Sequence, residues 1–161
     1  MKQVLYILVA LALWLLFSGN LSISSLVIGL IVSVITVLSF HRYLVWDVAK
    51  LFQPIRYYWF AIYLFIFAWE CLKANLDVAY RVLHPDLPIK PGIVKVKTRL
   101  KTDIARTTLA NSITMTPGTI TVDIVDDFIY VHWIYVSSTD PIQYTEKISG
   151  RFEKYIQRIF E

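Results

Sequence analysis

The chain has 161 residues, of which 57% are hydrophobic and 17% are charged, and its formal net charge is +4. A soluble domain is typically about half apolar and about one quarter charged, so this composition favours an integral membrane protein. The Lys and Arg residues are scattered among acids, which argues against a nucleic-acid-binding surface. Cys71 is the only cysteine, so an intrachain disulfide and a Cys-based zinc site are excluded.

The first part of the chain predicts two membrane helices. No Asp, Glu, Lys, Arg or His occurs between Val4 and Phe40. Residues 3–18 predict a first helix that is short for a full crossing, and residues 21–41 predict a second helix that matches the hydrocarbon thickness of about 30 Å. The residues Ser18-Gly19-Asn20 predict the turn between them. No small-x-small cleavage signature follows the first apolar run, so we expect a retained helical hairpin.

A third helix is predicted over residues 55–83. Aromatic residues bracket its apolar stretch in the manner of an interfacial belt, and beyond Trp69 the pattern becomes amphipathic. We expect this helix to leave the membrane and to end near His84-Pro85. Residues 1–83 are therefore predicted to form a transmembrane region, although the balance of basic residues leaves its orientation open.

A proline-rich linker over residues 84–92 is predicted to separate this region from a small soluble α+β domain at 93–161. The expected element order is β-α-β-β-α, with two helices covering a small sheet. Val94 and Val96 alternate with Lys residues, which predicts the first strand. Asp103 is the predicted N-cap of the helix that follows.

The remainder of the domain is predicted to be a hairpin and a terminal helix. Two alternating segments flank Asp126-Asp127, which indicates a β-hairpin. In its first strand, Ile120, Val122 and Ile124 are expected to share one face. From Tyr144 onward a helical stripe is predicted, formed by Ile148, Phe152, Tyr155 or Ile156, and Ile159.

One motif in the soluble half carries a family resemblance. Residues 111–123 read Asn-Ser-Ile-Thr-Met-Thr-Pro-Gly-Thr-Ile-Thr-Val-Asp, and residues 130–134 read Tyr-Val-His-Trp-Ile. This ordered pair resembles the core motif of the MrpE/MnhE family, which comprises the E subunits of the multisubunit Mrp/Mnh-type cation/proton antiporters. Chain length, the apolar N-terminal half and the terminal amphipathic helix fit as well, so the resemblance extends over essentially the whole chain.

The resemblance implies a prokaryotic plasma-membrane complex that exchanges cytoplasmic Na⁺ for external H⁺. In such a complex the large antiporter-like subunits carry the main ion path, and the MnhE-type protein is a small multi-pass accessory component. The expected partners are these large subunits, other small membrane subunits and lipid. The soluble domain is expected to face the cytoplasm.

Three charged residues are candidates for an ion path or a subunit interface. Glu70, Lys73 and Asp77 follow one another at helical spacing, so an acid, a base and an acid share one face near the predicted membrane boundary. Ionisable groups at membrane depth are expensive and are functional candidates for that reason. The alternative is a solvated ladder of ion pairs at the helix surface.

A threonine-rich turn is the second candidate. It comprises Thr114, Thr116, Pro117, Gly118 and Thr119. Pro and Gly are suited to the two central positions of a turn, and the hydroxyl groups suit either local hydrogen bonds or contacts with a neighbouring subunit. Both interpretations remain open at this stage.

No phosphate-binding loop, dinucleotide fingerprint or nucleophile motif occurs in the sequence, so we expect neither an enzyme nor a cofactor. EF-hand spacing is missing around Asp123, and no metal site is expected. The first hypothesis is an accessory antiporter subunit that supports assembly and ion transport for pH and sodium homeostasis. The alternative is a stand-alone membrane-anchored adaptor that recruits a cytosolic partner.

Overall fold

The computed structural model describes residues 2–40 and 53–161. The chain divides into two compact units, residues 1–54 and residues 55–161. The helices are α1 (Lys2–Ser18), α2 (Ile23–Phe40), α3 (Pro54–Leu83), α4 (Asp103–Met115), α5 (Pro141–Thr145) and α6 (Arg151–Phe160), with a π-helical segment (Glu146–Gly150) between the last two. The strands are β1 (Gly92–Lys97), β2 (Thr119–Val125) and β3 (Phe128–Trp133).

The first unit contains a helical hairpin with a tight turn. Gly19 has a φ of 60°, a conformation that glycine adopts without steric cost, and it follows the last residue of α1. The Ser22 hydroxyl accepts a hydrogen bond from Ser25 N at 3.3 Å, so Ser22 caps α2. This cap explains why α2 begins after residue 21. Residue 41, the predicted last residue of this helix, lies outside the described residues.

Close helix packing in the hairpin depends on Gly29. The indole ring of Trp14 lies so close to Gly29 that a Cβ atom there would overlap it. Trp14 Nε1 also donates a hydrogen bond to Ser25 O at 3.2 Å. Gly29, Ser33 and Val37 are the buried residues of α2 and recur every four positions, whereas most other large apolar side chains of α1 and α2 are exposed.

Helix α3 has 30 residues, and all of them except its first residue, Pro54, belong to the second unit. Pro54 occupies its first position, where the missing N–H removes no helical hydrogen bond, and α3 ends one residue before His84-Pro85. By length and composition, both α2 and α3 could cross a membrane, and α1 is shorter. Residues 84–91 contain no helix, and they connect α3 to β1. The assignment of residues 1–83 to a transmembrane region stays a prediction.

The sheet is antiparallel with the order β1-β3-β2. Val94 pairs with Val131 and Val96 pairs with Ile129, so these four side chains lie on one face. Their burial confirms the alternation predicted for β1. The same core contains residues from α3, α4 and the C-terminal helical segment: Tyr63, Leu109, Ile113, Ile148, Phe152 and Ile156.

The predicted common face of Ile120, Val122 and Ile124 is wrong. A register shift in β2 falls between Thr121 and Asp123, so the strand contains a β-bulge. Ile120 pairs with His132, on the outer face, whereas Ile124 pairs with Ile129, on the core face. The inserted residue reverses the alternation beyond it, which a strictly period-two pattern does not anticipate.

Two helix boundaries also differ from the prediction. Thr102, rather than Asp103, is the N-cap of α4, and its hydroxyl accepts a hydrogen bond from Ala105 N at 3.4 Å. The C-terminal helical segment begins at Pro141, capped by Asp140, instead of at Tyr144. Its predicted stripe is buried, with Ile156 rather than the half-buried Tyr155 in the core. Local hydrogen bonds of the cap side chains decided these boundaries.

Gly29→Leu should separate α1 from α2. Overpacking at a close contact costs about 1–3 kcal/mol, so we expect a lower midpoint of thermal unfolding for the full chain in detergent, measured by circular dichroism. Val27→Leu, at an exposed position of the same helix, is the matched control. Equal midpoints for the two variants would contradict the close approach of Trp14.

Candidate functional site

One side of α3 faces the core of the domain through aromatic side chains. The Tyr63 hydroxyl and Ser112 Oγ form a buried hydrogen bond of 2.6 Å. The rings of Phe67 and Phe152 are 6.0 Å apart between centroids. Because Tyr63 and Phe67 are four residues apart, they lie on the same side of α3, and both sides of this contact are apolar apart from the satisfied hydroxyls.

The N-terminal end of α3 contacts the C-terminus of the chain. The Arg56 guanidinium donates hydrogen bonds to Ile159 O and, at 3.5 Å, to Glu161 O. Carbonyl groups at the end of α6 carry the negative end of the helix dipole, so a guanidinium is favourable there. Arg158 also lies over the ring of Trp59, at 4.1 Å from its centroid.

Glu70 is the centre of a charged cluster on the same side of α3. Its Oε2 accepts a hydrogen bond from Arg151 Nη1 at 2.6 Å, and its Oε1 lies 2.5 Å from Lys73 Nζ. The Glu70 side chain is only 13% exposed, so both carboxylate oxygens are paired where water has little access. Each cation thereby offsets part of the cost of burying the carboxylate.

The predicted acid-base-acid face is divided into two ion-pair groups. Asp77 does not share Lys73 with Glu70 but pairs with Arg81, whose Nε and Nη2 donate to its oxygens at 2.8 and 3.0 Å. The Asp77 side chain is 54% exposed, so this pair is a surface pair. The role of Glu70, Lys73 and Asp77 in an ion path or an interface stays a prediction.

Arg151 is the partner of Glu70 that the sequence pattern did not identify. It lies 81 positions after Glu70, so no local spacing relates the two. Its neighbour Phe152 belongs to the predicted buried stripe, and a basic residue next to such a stripe is the one signal that could have suggested a charged partner on another element. The Nε of Arg151 is buried without a hydrogen-bond partner.

The threonine-rich turn uses its hydroxyl groups within the domain. Thr116 and Thr119 are buried. Thr116 Oγ1 donates to Ser112 O at 2.8 Å, and Thr119 Oγ1 donates to Ile113 O at 2.7 Å. Thr114 is exposed, and its hydroxyl accepts a hydrogen bond from Thr121 N. These bonds support the local interpretation, while a subunit interface at Thr114–Thr119 stays a prediction.

The same turn supports α3. Gly118 has a φ of 87°, and a Cβ atom there would lie 2.9 Å from Ile134 Cγ2 and 3.4 Å from Val78 Cγ2. Only glycine satisfies both the positive φ and this close approach. The Cys71 thiol, next to Glu70 in the chain, also lies 3.7 Å from Met115 O. The motif therefore lies against the C-terminal half of α3.

Within residues 2–40 and 53–161, no group of three or more His, Cys, Asp or Glu side chains is arranged to hold a metal ion. The aspartates of the β2–β3 hairpin have structural contacts instead. Asp127 pairs with Arg106 at 2.7 Å, Asp123 Oδ1 accepts from Ile124 N, and Asp126 has the positive φ of a turn residue.

Comparisons with a family model and with curated proteins indicate the same family. A family model described as a Na⁺/H⁺ ion antiporter subunit, MNHE, matches residues 7–159. The E subunit of the Na⁺/H⁺ antiporter of Alkalihalophilus pseudofirmus is 34% identical over 160 residues, which cover 98% of this chain and 97% of that protein. The E1 subunit of the Na⁺/H⁺ antiporter of Staphylococcus haemolyticus is 35% identical over 156 residues, 92% of this chain and 91% of that protein.

One solved structure is similar to this chain over nearly its whole length. It is a chain of the membrane-bound sulfane sulfur reductase, an archaeal respiratory membrane complex. That chain is 39% identical, the match covers 99% of both chains, and the TM-score is 0.74.

Glu70→Gln should destabilise the second unit. Replacing a carboxylate that accepts charged hydrogen bonds costs about 1–3 kcal/mol, or about 4–12 °C in the thermal midpoint of a domain of this size. Asp77→Asn is the matched control, since an exposed ion pair contributes about 0.5 kcal/mol. Differential scanning fluorimetry of the full chain in detergent provides the measurement. A larger effect for Asp77→Asn than for Glu70→Gln would contradict the interpretation that the contact between Glu70 and Arg151 holds α3 on the domain.

Proposed function

The chain belongs to the MnhE family of Na⁺/H⁺ antiporter subunits, and we propose that it is an accessory membrane subunit of a multisubunit Na⁺/H⁺ antiporter. Its partners are the other subunits of that complex. Its contribution to pH and sodium homeostasis is to support assembly and ion transport. The observation that carries this proposal is a family match that extends over nearly the whole chain, from residue 7 to residue 159.

An accessory role fits the chemistry of the hairpin helices. Proton and sodium pathways through a bilayer depend on ionisable side chains that face a protein or water-filled interior. Between Val4 and Phe40 the sequence has no Asp, Glu, Lys, Arg or His. From Val4 onward, helices α1 and α2 therefore offer no acidic or basic group to relay a cation, which fits a main ion path in other subunits.

We place the hairpin in the plasma membrane of a prokaryotic cell, and the unit of residues 55–161 on the cytoplasmic side. The exposed apolar side chains of α1 and α2 support burial in lipid, because a surface of this kind is unfavourable in water. The resemblance to the MnhE family supports the cytoplasmic side. The second unit then braces the assembly with its paired charges.

A second candidate function is a structural subunit of a respiratory membrane complex. The observation that favours it is the 39% identity to a chain of the membrane-bound sulfane sulfur reductase, which exceeds the identities to the two antiporter subunits. The two candidates differ in the proteins that accompany the chain. An antiporter needs only membrane subunits to exchange Na⁺ for H⁺. A respiratory complex also contains subunits that carry out redox chemistry.

Affinity purification of the tagged chain in mild detergent, with mass spectrometry, tests these candidates. We expect several large polytopic antiporter-like proteins and Na⁺-dependent proton exchange in everted vesicles that is lost when the chain is deleted. Recovery of redox subunits as well would favour the respiratory complex. Recovery of the chain alone, or with soluble proteins only, would reject both candidates in favour of the adaptor.

Glu70→Gln separates a supporting role from an ion path. If Glu70 anchors α3, the variant lowers the amount of assembled complex but leaves the exchange rate per complex within about twofold. A loss of more than about tenfold per complex, with normal assembly, would instead assign Glu70 to the ion path; by transition-state arithmetic this corresponds to about 1.4 kcal/mol. Asp77→Asn is the control for charge removal from the same helix.

A further inference from the structure

Helix α3 has an exposed apolar stripe opposite the side that packs on the domain. The stripe recurs at spacings of three or four residues and consists of Phe65, Trp69, Leu72, Leu76, Tyr80 and Leu83. Phe65 is 76% exposed and Leu83 is 83% exposed. At about 100° per residue, these side chains lie within one sector of the helix, roughly opposite Tyr63 and Phe67. Thus α3 has two apolar sides, and only one of them is covered in the second unit.

The charged residues of α3 avoid this stripe. There are five of them: Arg56, Glu70, Lys73, Asp77 and Arg81. At 100° per residue they lie about 60–165° from the centre of the stripe, on the domain-facing side or its flank. Four of them are held there by ion pairs, Glu70 with Lys73 and Arg151, and Asp77 with Arg81. This division of charge is typical of helices that lie in a membrane interface.

The domain contacts exclude a bilayer crossing by α3. They extend from Arg56, which bonds Ile159 O, to Arg81, which bonds Pro88 O and lies over Tyr135. This length of helix is about 38 Å, longer than a hydrocarbon core of about 30 Å. A crossing would therefore carry Arg151 and Arg158 into the hydrocarbon, together with the open edges of the sheet. Buried charges and unpaired strand edges are both unfavourable in lipid.

We propose that α3 lies parallel to the bilayer surface, with its apolar stripe at the boundary between headgroups and acyl chains and with the domain on the aqueous side. The occupant of the stripe is lipid. Trp69 and Tyr80 suit this position, because their rings have an apolar body and a polar group that bonds headgroups or water. The inference rests on the membrane location proposed above and not on the antiporter activity.

Hydropathy selected α3 as a crossing helix because its two apolar sides contribute to the same average.

Depth-dependent fluorescence quenching tests the proposal. Phe65→Cys, Leu72→Cys and Leu83→Cys are made singly in the full chain with Cys71→Ser, labelled with an environment-sensitive fluorophore and reconstituted in phosphatidylcholine–phosphatidylglycerol vesicles. Nitroxide lipids with the spin label near the headgroup or deep in the acyl chain are the quenchers. Thr107→Cys, at an exposed position of α4, is the control.

An interfacial α3 gives the same result at all three positions, namely stronger quenching by the shallow label than by the deep label, with ratios within about twofold. Thr107 is unquenched. Stronger deep quenching at Leu72, with weaker quenching at Leu83, would show a crossing helix and overturn the proposal. Quenching of none of the three positions would also overturn it, since the stripe would then not contact lipid.

A second measurement uses the purified complex, where it is recovered. Retained shallow quenching supports the proposal. Loss of quenching in the complex, but not in the chain alone, would mean that another subunit covers the stripe, and the assignment to lipid would be wrong. Because vesicles with the isolated chain need no antiport, failure of the proposed function leaves the depth profile interpretable.

Discussion

The packing of α3 on the domain is the constraint on which the second unit depends. A three-stranded sheet with helices on one face buries little apolar surface for its length, and small domains of this kind are marginal in stability. Tyr63 enters the same core as Phe152, and Phe67 packs against that core. The long helix is therefore a structural layer of the domain as well as the element that follows the hairpin.

Polar contacts specify how α3 lies on this core. Apolar packing alone tolerates sliding along a helix, whereas hydrogen bonds and ion pairs have fixed partners and directions. Tyr63 bonds Ser112 near the middle of the contact, and Glu70 bonds Arg151 two turns further along. Gly118 permits the close approach of the threonine-rich turn near Val78. The family motif thus has a structural role in this chain, because it forms part of the surface on which α3 packs.

The two units differ in surface chemistry and therefore suit different roles. The hairpin presents apolar surface and no ionisable group from Val4 to Phe40, apart from the phenol of Tyr6, so it suits contacts with lipid and other membrane helices. In the second unit, Glu70 is paired with Lys73 and Arg151, and Asp77 is paired with Arg81, so the charged side chains of α3 have defined partners. Both properties fit the accessory role proposed for this subunit.

The sequence by itself determined the features that depend on neighbouring residues. These include the turn at Gly19, the strand alternation of Val94 and Val96, and the buried stripe of Ile148, Phe152 and Ile159, because each follows from backbone preferences and periodicity within a short window. The stripe's remaining member, Ile156 rather than Tyr155, was decided by the packing of the domain. It also determined the family, through the ordered motif at residues 111–134.

Only the tertiary structure decided the contacts between distant segments. Glu70 meets Arg151 across 81 positions, and the bulge in β2 depends on its register with β3. Hydropathy could not distinguish a helix surrounded by lipid from one with a domain on one side, since both average to the same value. Which side of α3 is covered is a property of the fold, because covering it requires residues that the chain brings back from its C-terminal end.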